Sequence, residues 1–143
     1  MAKQGYSVSQ RRKVEAISSG AAFEVKPHDC GTTFIITDNT QRTITLPTAA
    51  QAGNGWWARF VLGVTLGNAE DQTIDLPGTA TFSSIVRLAG GATPAAGIVG
   101  TGGANDQNRT GILFDGSAGD VVGDVIEVMQ LNGNFYAYSV SAV

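Results

Sequence analysis

Residues 124–140 read DVIEVMQLNGNFYAYSV, in which two alternating apolar segments flank Asn132-Gly133. Asn-Gly is favoured in a two-residue type I′ turn because both central residues of that turn need a positive φ. The stretch therefore predicts an antiparallel hairpin, with strands from Asp124 to Leu131 and from Asn134 to Val140.

Upstream of the hairpin, short segments rich in β-branched and aromatic residues alternate with turn residues. The predicted strands are 22–26, 32–37, 43–46, 56–66, 72–76, 82–88 and 111–114, and no convincing long helix interrupts them. We therefore expect an all-β fold: an antiparallel β-sandwich, jelly-roll-like, or a β-barrel, formed by residues 21–143. Residues 89–110 are the least structured part and are predicted to be a long loop.

Residues 1–20 are predicted to be a basic N-terminal arm that precedes this domain. Ser9 is a candidate cap for a short helix ending near Ser18, while Val14 and Ile17 fit a strand or an extended arm nearly as well. The arm gives the chain a marked charge split. Residues 1–26 carry five basic and two acidic residues (+3), and residues 27–143 carry four basic and ten acidic residues (−6). Such an arm either docks on an acidic partner or is a solvated tail.

The longest predicted strand, residues 56–66, places its side chains alternately on two faces. We expect one face to be core, and it holds Trp56, Ala58, Phe60, Leu62 and Val64. The opposite face, which begins with Trp57 and Arg59, is predicted to be only partly covered. Because Trp is enriched at binding hot spots and also forms sugar platforms, Trp57 and Arg59 are candidate residues of a subunit interface or of a glycan site.

Composition limits the class of protein. A chain of 143 residues, with 15% charged residues and 19 glycines, fits compact β structure with tight turns rather than disorder or a coiled coil. Cys30 is the only cysteine, which excludes an intrachain disulfide and fits synthesis in a reducing cytoplasm. We find no secretory signal and no apolar run approaching the roughly 18 residues of a membrane span.

Residues with potential for chemistry do not form a recognisable catalytic or metal-binding pattern. His28, Asp29 and Cys30 are consecutive in a predicted turn, which cannot supply a closed tetrahedral metal site. Asp120 and Asp124 are better explained by a turn and a strand start than by a glycosidase pair. We therefore predict that the protein is not an enzyme and has no catalytic residues, no metal and no cofactor.

Five segments, taken in order, resemble a family of phage virion β-modules. They are residues 29–36 (DCGTTFII), 44–50 (ITLPTAA), 55–61 (GWWARFV), 73–75 (TID) and 127–137 (EVMQLNGNFYA). Members of this family occur as head decoration (cement) proteins and as tail-fibre or tail-spike modules, and both kinds are usually trimers. The resemblance covers roughly residues 24–140 and implies a trimeric, β-rich virion protein. It gives no role to the 89–110 loop.

This resemblance leads to two functional expectations. The first is a cement protein, made in the host bacterial cytoplasm, which binds the outer capsid surface as a homotrimer. Its partners are itself and the major capsid protein, with no nucleic acid, membrane or small-molecule substrate, and the candidate capsid-docking residues are Lys3, Arg11, Arg12 and Lys13. The nearly stand-alone module favours this reading. The alternative is a tail-fibre or spike tip that binds a host-surface glycan.

Overall fold

The computed structural model describes residues 13–67, 70–88, 98–101, 109–116 and 122–140. They form eleven strands, a 3₁₀ turn at Pro27–Asp29 and one short helix, α1, at Ala49–Ala52. In chain order the strands are β1 Val14–Ile17, β2 Ala22–Glu24, β3 Thr33–Ile36, β4 Arg42–Thr45, β5 Trp57–Leu62, β6 Gln72–Asp75, β7 Phe82–Leu88, β8 Ile98–Thr101, β9 Gly111–Phe114, β10 Val125–Leu131 and β11 Asn134–Val140. The all-β expectation is confirmed.

The strands form two mixed sheets that share one core. Sheet A has the order β1-β3-β5-β10-β11-β7, and sheet B has the order β2-β4-β6-β9-β8. The first six strands alternate between the two sheets, and each of β3 to β6 pairs in parallel with the strand two places earlier in the chain. Parallel neighbours need a crossover connection, and here each crossover contains a strand of the opposite sheet. The N-terminal half is therefore wound as coils of a two-sheeted parallel helix.

The expectation of an antiparallel fold is wrong for this half of the protein. Among the described strands, antiparallel pairing joins β5-β10, β10-β11, β6-β9 and β8-β9, while β7 pairs in parallel with β11. Alternation along a strand shows which side chains face the core but does not identify the neighbouring strand. Among the described strands neither sheet closes on itself, since β1 and β7 are the outer strands of sheet A.

The predicted hairpin is confirmed at its turn. Asn132 has φ 51° and Gly133 has φ 81°, as a type I′ turn requires, and Leu131 pairs with Asn134. The long predicted strand at 56–66 is shorter than expected, because β5 ends before Gly63. A Cβ on Gly63 would lie 2.8 Å from the carbonyl oxygen of Ile36, so the two backbones approach closely at that point.

Two segments differ from their sequence-based assignments. Residues 14–17, placed in the arm, form β1, which pairs with β3 and contributes Ile17 to the core. The strand alternative therefore applies to this part of the arm, and we draw the boundary between arm and body before residue 14. Residues 98–101, placed in the 89–110 loop, form β8 against β9. The parts of that loop at 89–97 and 102–108 lie outside the described residues.

Aromatic side chains fill the core between the sheets. Phe34 and Phe60 stack with ring centroids 5.3 Å apart, and Phe23 meets Phe34 edge-on at 5.5 Å. Trp56 and Phe82 contact Phe135 in the same edge-on manner. Burial of each such side chain contributes about 1.5–3 kcal/mol relative to exposure. The predicted core face of β5 is confirmed, since Trp56, Ala58, Phe60 and Leu62 are buried and Val64 packs against the cluster.

One end of the core contains a buried cation. The side chain of Arg42 on β4 is fully buried and donates from Nε to the carbonyl oxygen of Gly20 (2.7 Å) and from Nη2 to Oδ1 of Asp38 (2.8 Å). Its Nη1 donates to Oε1 of Gln72 on β6 (3.3 Å). Since buried charges persist only when paired, this network fixes three segments of the N-terminal coils around one guanidinium.

Candidate functional site

The outer face of sheet A is mostly apolar, although it is turned away from the core. We call this surface the apolar face, and it contains uncharged side chains from all six strands. It consists of Val14, Ala16, Ile35, Trp57, Val61, Val86, Val125, Met129, Leu131, Tyr136, Tyr138 and Val140, together with the polar Thr33, Ser84 and Asn134 and the charged pair Arg59 and Glu127. Several are well exposed, with Val14 at 59%, Val86 at 49% and Tyr138 at 40%. A continuous apolar patch of this kind marks an interaction site.

The outer face of sheet B has the opposite character. Its described outward side chains include Glu24, Thr43, Thr45, Thr73 and Asp75, which alternate with buried inward residues. We call this surface the polar face. Burial raises the pKa of the Asp75 carboxyl group above its ordinary value. The part of this face formed by β4 and β6 is rich in threonine and suited to contact with water, whereas β9 contributes the buried Leu113, which pairs with Thr73.

An ion pair lies in the middle of the apolar face. Arg59 on β5 and Glu127 on β10 are cross-strand neighbours, and Oε2 of Glu127 accepts from Nε (2.9 Å) and Nη2 (2.5 Å) of Arg59. A groove of about 260 Å³ beside the pair is lined by Gly55, Trp57, Arg59, Glu127, Met129 and Leu131. A second groove, also of about 260 Å³, shares Met129 and Leu131 with it and continues across β11 to Val86.

The two adjacent tryptophans point in opposite directions, as predicted. Trp56 is in the core, where Nε1 donates to the carbonyl oxygen of Pro27 (3.1 Å). Trp57 is half-buried on the apolar face and lies over Gly31, whose φ is +80° and where a Cβ would be 3.7 Å from Cζ2 of the indole. The structure therefore brings both candidate residues, Trp57 and Arg59, to one groove.

Sequence reasoning missed most of the apolar face. Its contributions from β10 and β11, namely Met129, Leu131, Tyr136 and Tyr138, were assigned to a hairpin but not to a site. A signal was present, because these two strands carry large apolar or aromatic side chains on both faces. Such strands are typical of elements that are covered on both sides.

Lys13 is the first described residue, and its side chain is tied to the body. Its Nζ donates to Oδ1 of Asp29 (2.8 Å) and lies 3.2 Å from Oε2 of Glu15. Both contacts raise the pKa of Lys13 above its ordinary value, and the hydrogen bond to Asp29 has the larger effect. The other predicted docking residues, Lys3, Arg11 and Arg12, lie outside the described residues.

Asp29, which lies in the 3₁₀ turn, positions the side chain of Lys13. Its Oδ2 accepts the backbone N–H of Lys26 (2.8 Å), so the side chain also bonds the backbone of the turn. Burial by itself would raise the pKa of Asp29. The hydrogen bonds from Lys13 and Lys26 and the nearby positive charge outweigh burial, and the pKa is lower than the ordinary value.

The neighbouring His28 and Cys30 are both exposed, and Nε2 of His28 lies 3.9 Å from Oδ1 of Asp29. Within the described ranges, no group of three or more His, Cys, Asp or Glu side chains is placed to hold a metal ion. Asp120 lies outside those ranges, and Asp124 is buried at the start of β10, where its carbonyl oxygen accepts from the N–H of Leu62. Neither helix in the described part of the chain has the length and hydropathy needed to cross a bilayer.

Comparison of the chain with protein-family models, with curated proteins and with solved structures gives no match. The resemblance to phage virion modules therefore stays a prediction from the sequence segments that carry it.

Proposed function

We propose that this protein is a phage capsid decoration (cement) protein that binds the outer capsid surface as a trimer and stabilises the shell. The five sequence segments supply the class of protein. The observation that carries the proposal is the way in which the basic arm joins the body. A cement protein has to transmit force between its contact with the shell and its folded domain, and the junction at Lys13 and β1 is built for that.

The junction is held by backbone as well as side-chain contacts. The N–H of Thr33 donates to the carbonyl oxygen of Lys13 (2.8 Å), and the N–H of Thr37 donates to that of Ile17 (3.0 Å). Between these bonds β1 pairs with β3 along its whole length, and Ile17 is buried in the core. A pull on the arm is therefore resisted by a strand ladder and by core packing, in addition to the Lys13–Asp29 ion pair.

Charge supports docking through the arm. Because Lys13 is paired with Asp29 and Glu15, the cations that we assign to the shell contact are Lys3, Arg11 and Arg12. The remainder of the chain is acidic, so the arm is the part that is attracted to an acidic lattice. Three arms on one trimer bind with an avidity far above that of one arm, by a factor on the order of 10²–10⁴.

Deletion of residues 2–12 tests this proposal, since it leaves Lys13 and β1 in place. We expect the shortened protein to keep its fold and oligomeric mass but to lose co-sedimentation with undecorated capsids of the phage that encodes it. The control is Lys26→Gln, which removes an exposed cation outside the arm that is paired with Glu24. Binding by the shortened protein at the level of the full chain would refute docking through the arm.

The groove beside Trp57 supports a second candidate function, in which the protein is a tail-fibre or spike tip that binds a host-surface glycan. A half-buried indole next to the Arg59–Glu127 pair offers a stacking surface for a sugar ring and polar groups for its hydroxyls. On a glycan array this alternative requires a specific ligand whose binding is lost in Trp57→Ala. The cement proposal expects no ligand.

A further inference from the structure

We infer that the apolar face of sheet A is the surface on which copies of this chain associate, with the Arg59–Glu127 pair enclosed at its centre. The inference deepens the proposed function and rests on it for the number of copies. It names the face that the trimer buries.

The face is continuous across sheet A. One register row runs from Val14 through Thr33, Arg59, Glu127 and Tyr138 to Val86, with one residue on each of the six strands. Strands about 4.8 Å apart and about six residues long at about 3.3 Å per residue give this face a planar area of roughly 600 Å². A standard interface buries about 800 Å² per partner. Since side-chain relief increases the accessible area above the planar value, the face is large enough for a specific contact.

The chemistry of the face favours a second copy as its occupant. Its central charges neutralise each other, and the other residues of the face are uncharged, so a strongly charged partner finds no complement there. Around a threefold axis each copy turns this face towards its two neighbours, so that apolar area meets apolar area without repulsion between like charges. The centre is also ready for burial, because both donors of Arg59 that point to Glu127 are already bonded within one chain. Association therefore leaves neither member of this pair without its partner, which is the condition under which a buried pair is tolerated.

The test compares lysine substitutions at exposed strand positions on the two outer faces. Tyr138→Lys and Val86→Lys place a charge on the apolar face, and Thr43→Lys places the same charge on the polar face. Sedimentation equilibrium should give an oligomer for the wild type and for Thr43→Lys. Each of the other two variants should give a folded monomer, or an association at least 100-fold weaker. A wild-type monomer, or folded Tyr138→Lys and Val86→Lys variants of wild-type mass, would overturn the inference.

A measurement on the unmodified chain covers the case in which the variants fail to fold. Hydroxyl-radical footprinting should show Tyr138 and Met129 protected at high protein concentration and labelled as dilution dissociates the oligomer. Equal labelling at both concentrations would overturn the inference.

The capsid assay separates failure of this inference from failure of the proposed function. Tyr138→Lys with unchanged mass and arm-dependent capsid binding refutes only the assignment of the face. A monomeric Tyr138→Lys, together with capsid binding that does not depend on the arm in the wild type, refutes only docking through the arm.

Discussion

The carboxylate of Asp29 joins two parts of the chain that are 16 residues apart, since Oδ1 accepts from Nζ of Lys13 at 2.8 Å. Its other oxygen accepts the backbone N–H of Lys26 at 2.8 Å. One buried side chain therefore fixes both the root of the arm and the turn that leads into β3. The attachment of the arm to the body therefore depends in part on Asp29.

Acid should weaken the protein through Asp29. The pKa of Asp29 is lower in the folded protein than the ordinary value of 3.8, so its contribution to stability is fully present above that value. The contribution is lost as the pH falls below 3.8 and then through the lower pKa that Asp29 has in the folded protein. Asp29→Asn should reduce the free energy of unfolding by about 1–2 kcal/mol at pH 7. Urea unfolding between pH 7 and pH 2.5 should show the difference from wild type shrinking at the acid end.

Other titratable groups lie around Asp29, and the experiment has to separate their effects on stability from that of Asp29. Lys13 and His28 both face its carboxylate, and Glu15 shares Lys13. Lys13→Met is the companion variant because it removes one partner of Asp29 and leaves the hydrogen bond from Lys26. A difference between Asp29→Asn and wild type that stays constant from pH 7 to pH 2.5 would contradict the assignment.

Asp75 on the polar face should behave in the opposite sense. Burial raises its pKa, so the folded state disfavours the ionised carboxylate. Its contribution to stability is greatest below the ordinary value of 3.8 and is lost as the pH rises through the raised pKa. Because the side chain is partly exposed, Asp75→Asn should stabilise the protein at pH 7 by less than about 1 kcal/mol. Thermal unfolding at pH 7 and pH 3 tests this. A lower unfolding midpoint for Asp75→Asn than for the wild type at pH 7 would contradict the prediction.

Arg42 should be among the polar residues that are most sensitive to substitution. Arg42→Met keeps much of the side-chain volume but leaves Oδ1 of Asp38, Oε1 of Gln72 and the carbonyl oxygen of Gly20 without their donor. Loss of one partner from a buried ion pair costs about 3–5 kcal/mol, and the partial exposure of Asp38 points to the lower end. Arg42→Lys should recover only part of this, since an ammonium group lacks the planar fork of a guanidinium. Urea denaturation measures both variants, and wild-type stability for Arg42→Met would contradict the role of the network.

Local signals in the sequence were sufficient for most of the strands but not for their arrangement. The Asn132-Gly133 turn and the two faces of β5 follow from residue types and a period of two, and both are confirmed. The parallel winding of β1 to β6 could not be predicted in this way. Each of those strands finds its neighbour across a connection that passes through the opposite sheet, and no local pattern encodes that choice. The strand β8 was missed because Ile98–Thr101 lies in a glycine-rich stretch whose composition indicates a loop.

The candidate site was predictable to a similar degree. Alternation placed Trp57 and Arg59 on one outer face, and the structure places them on one groove. The partner of Arg59 is Glu127, 68 residues away, and only the β5-β10 register brings the two together. The pairing of Lys13 with Asp29 has the same origin, because it depends on the parallel register of β1 and β3. Long-range pairings of this kind decide which charges remain available for a partner.

An electron-microscopic reconstruction of the purified virus particle, with this protein located by a bound antibody fragment, would show whether it decorates the capsid. We predict copies at symmetry-related positions on the outside of the head, gathered in threes, with their N-termini directed towards the shell. Copies confined to the tail, or particles that contain none, would contradict it.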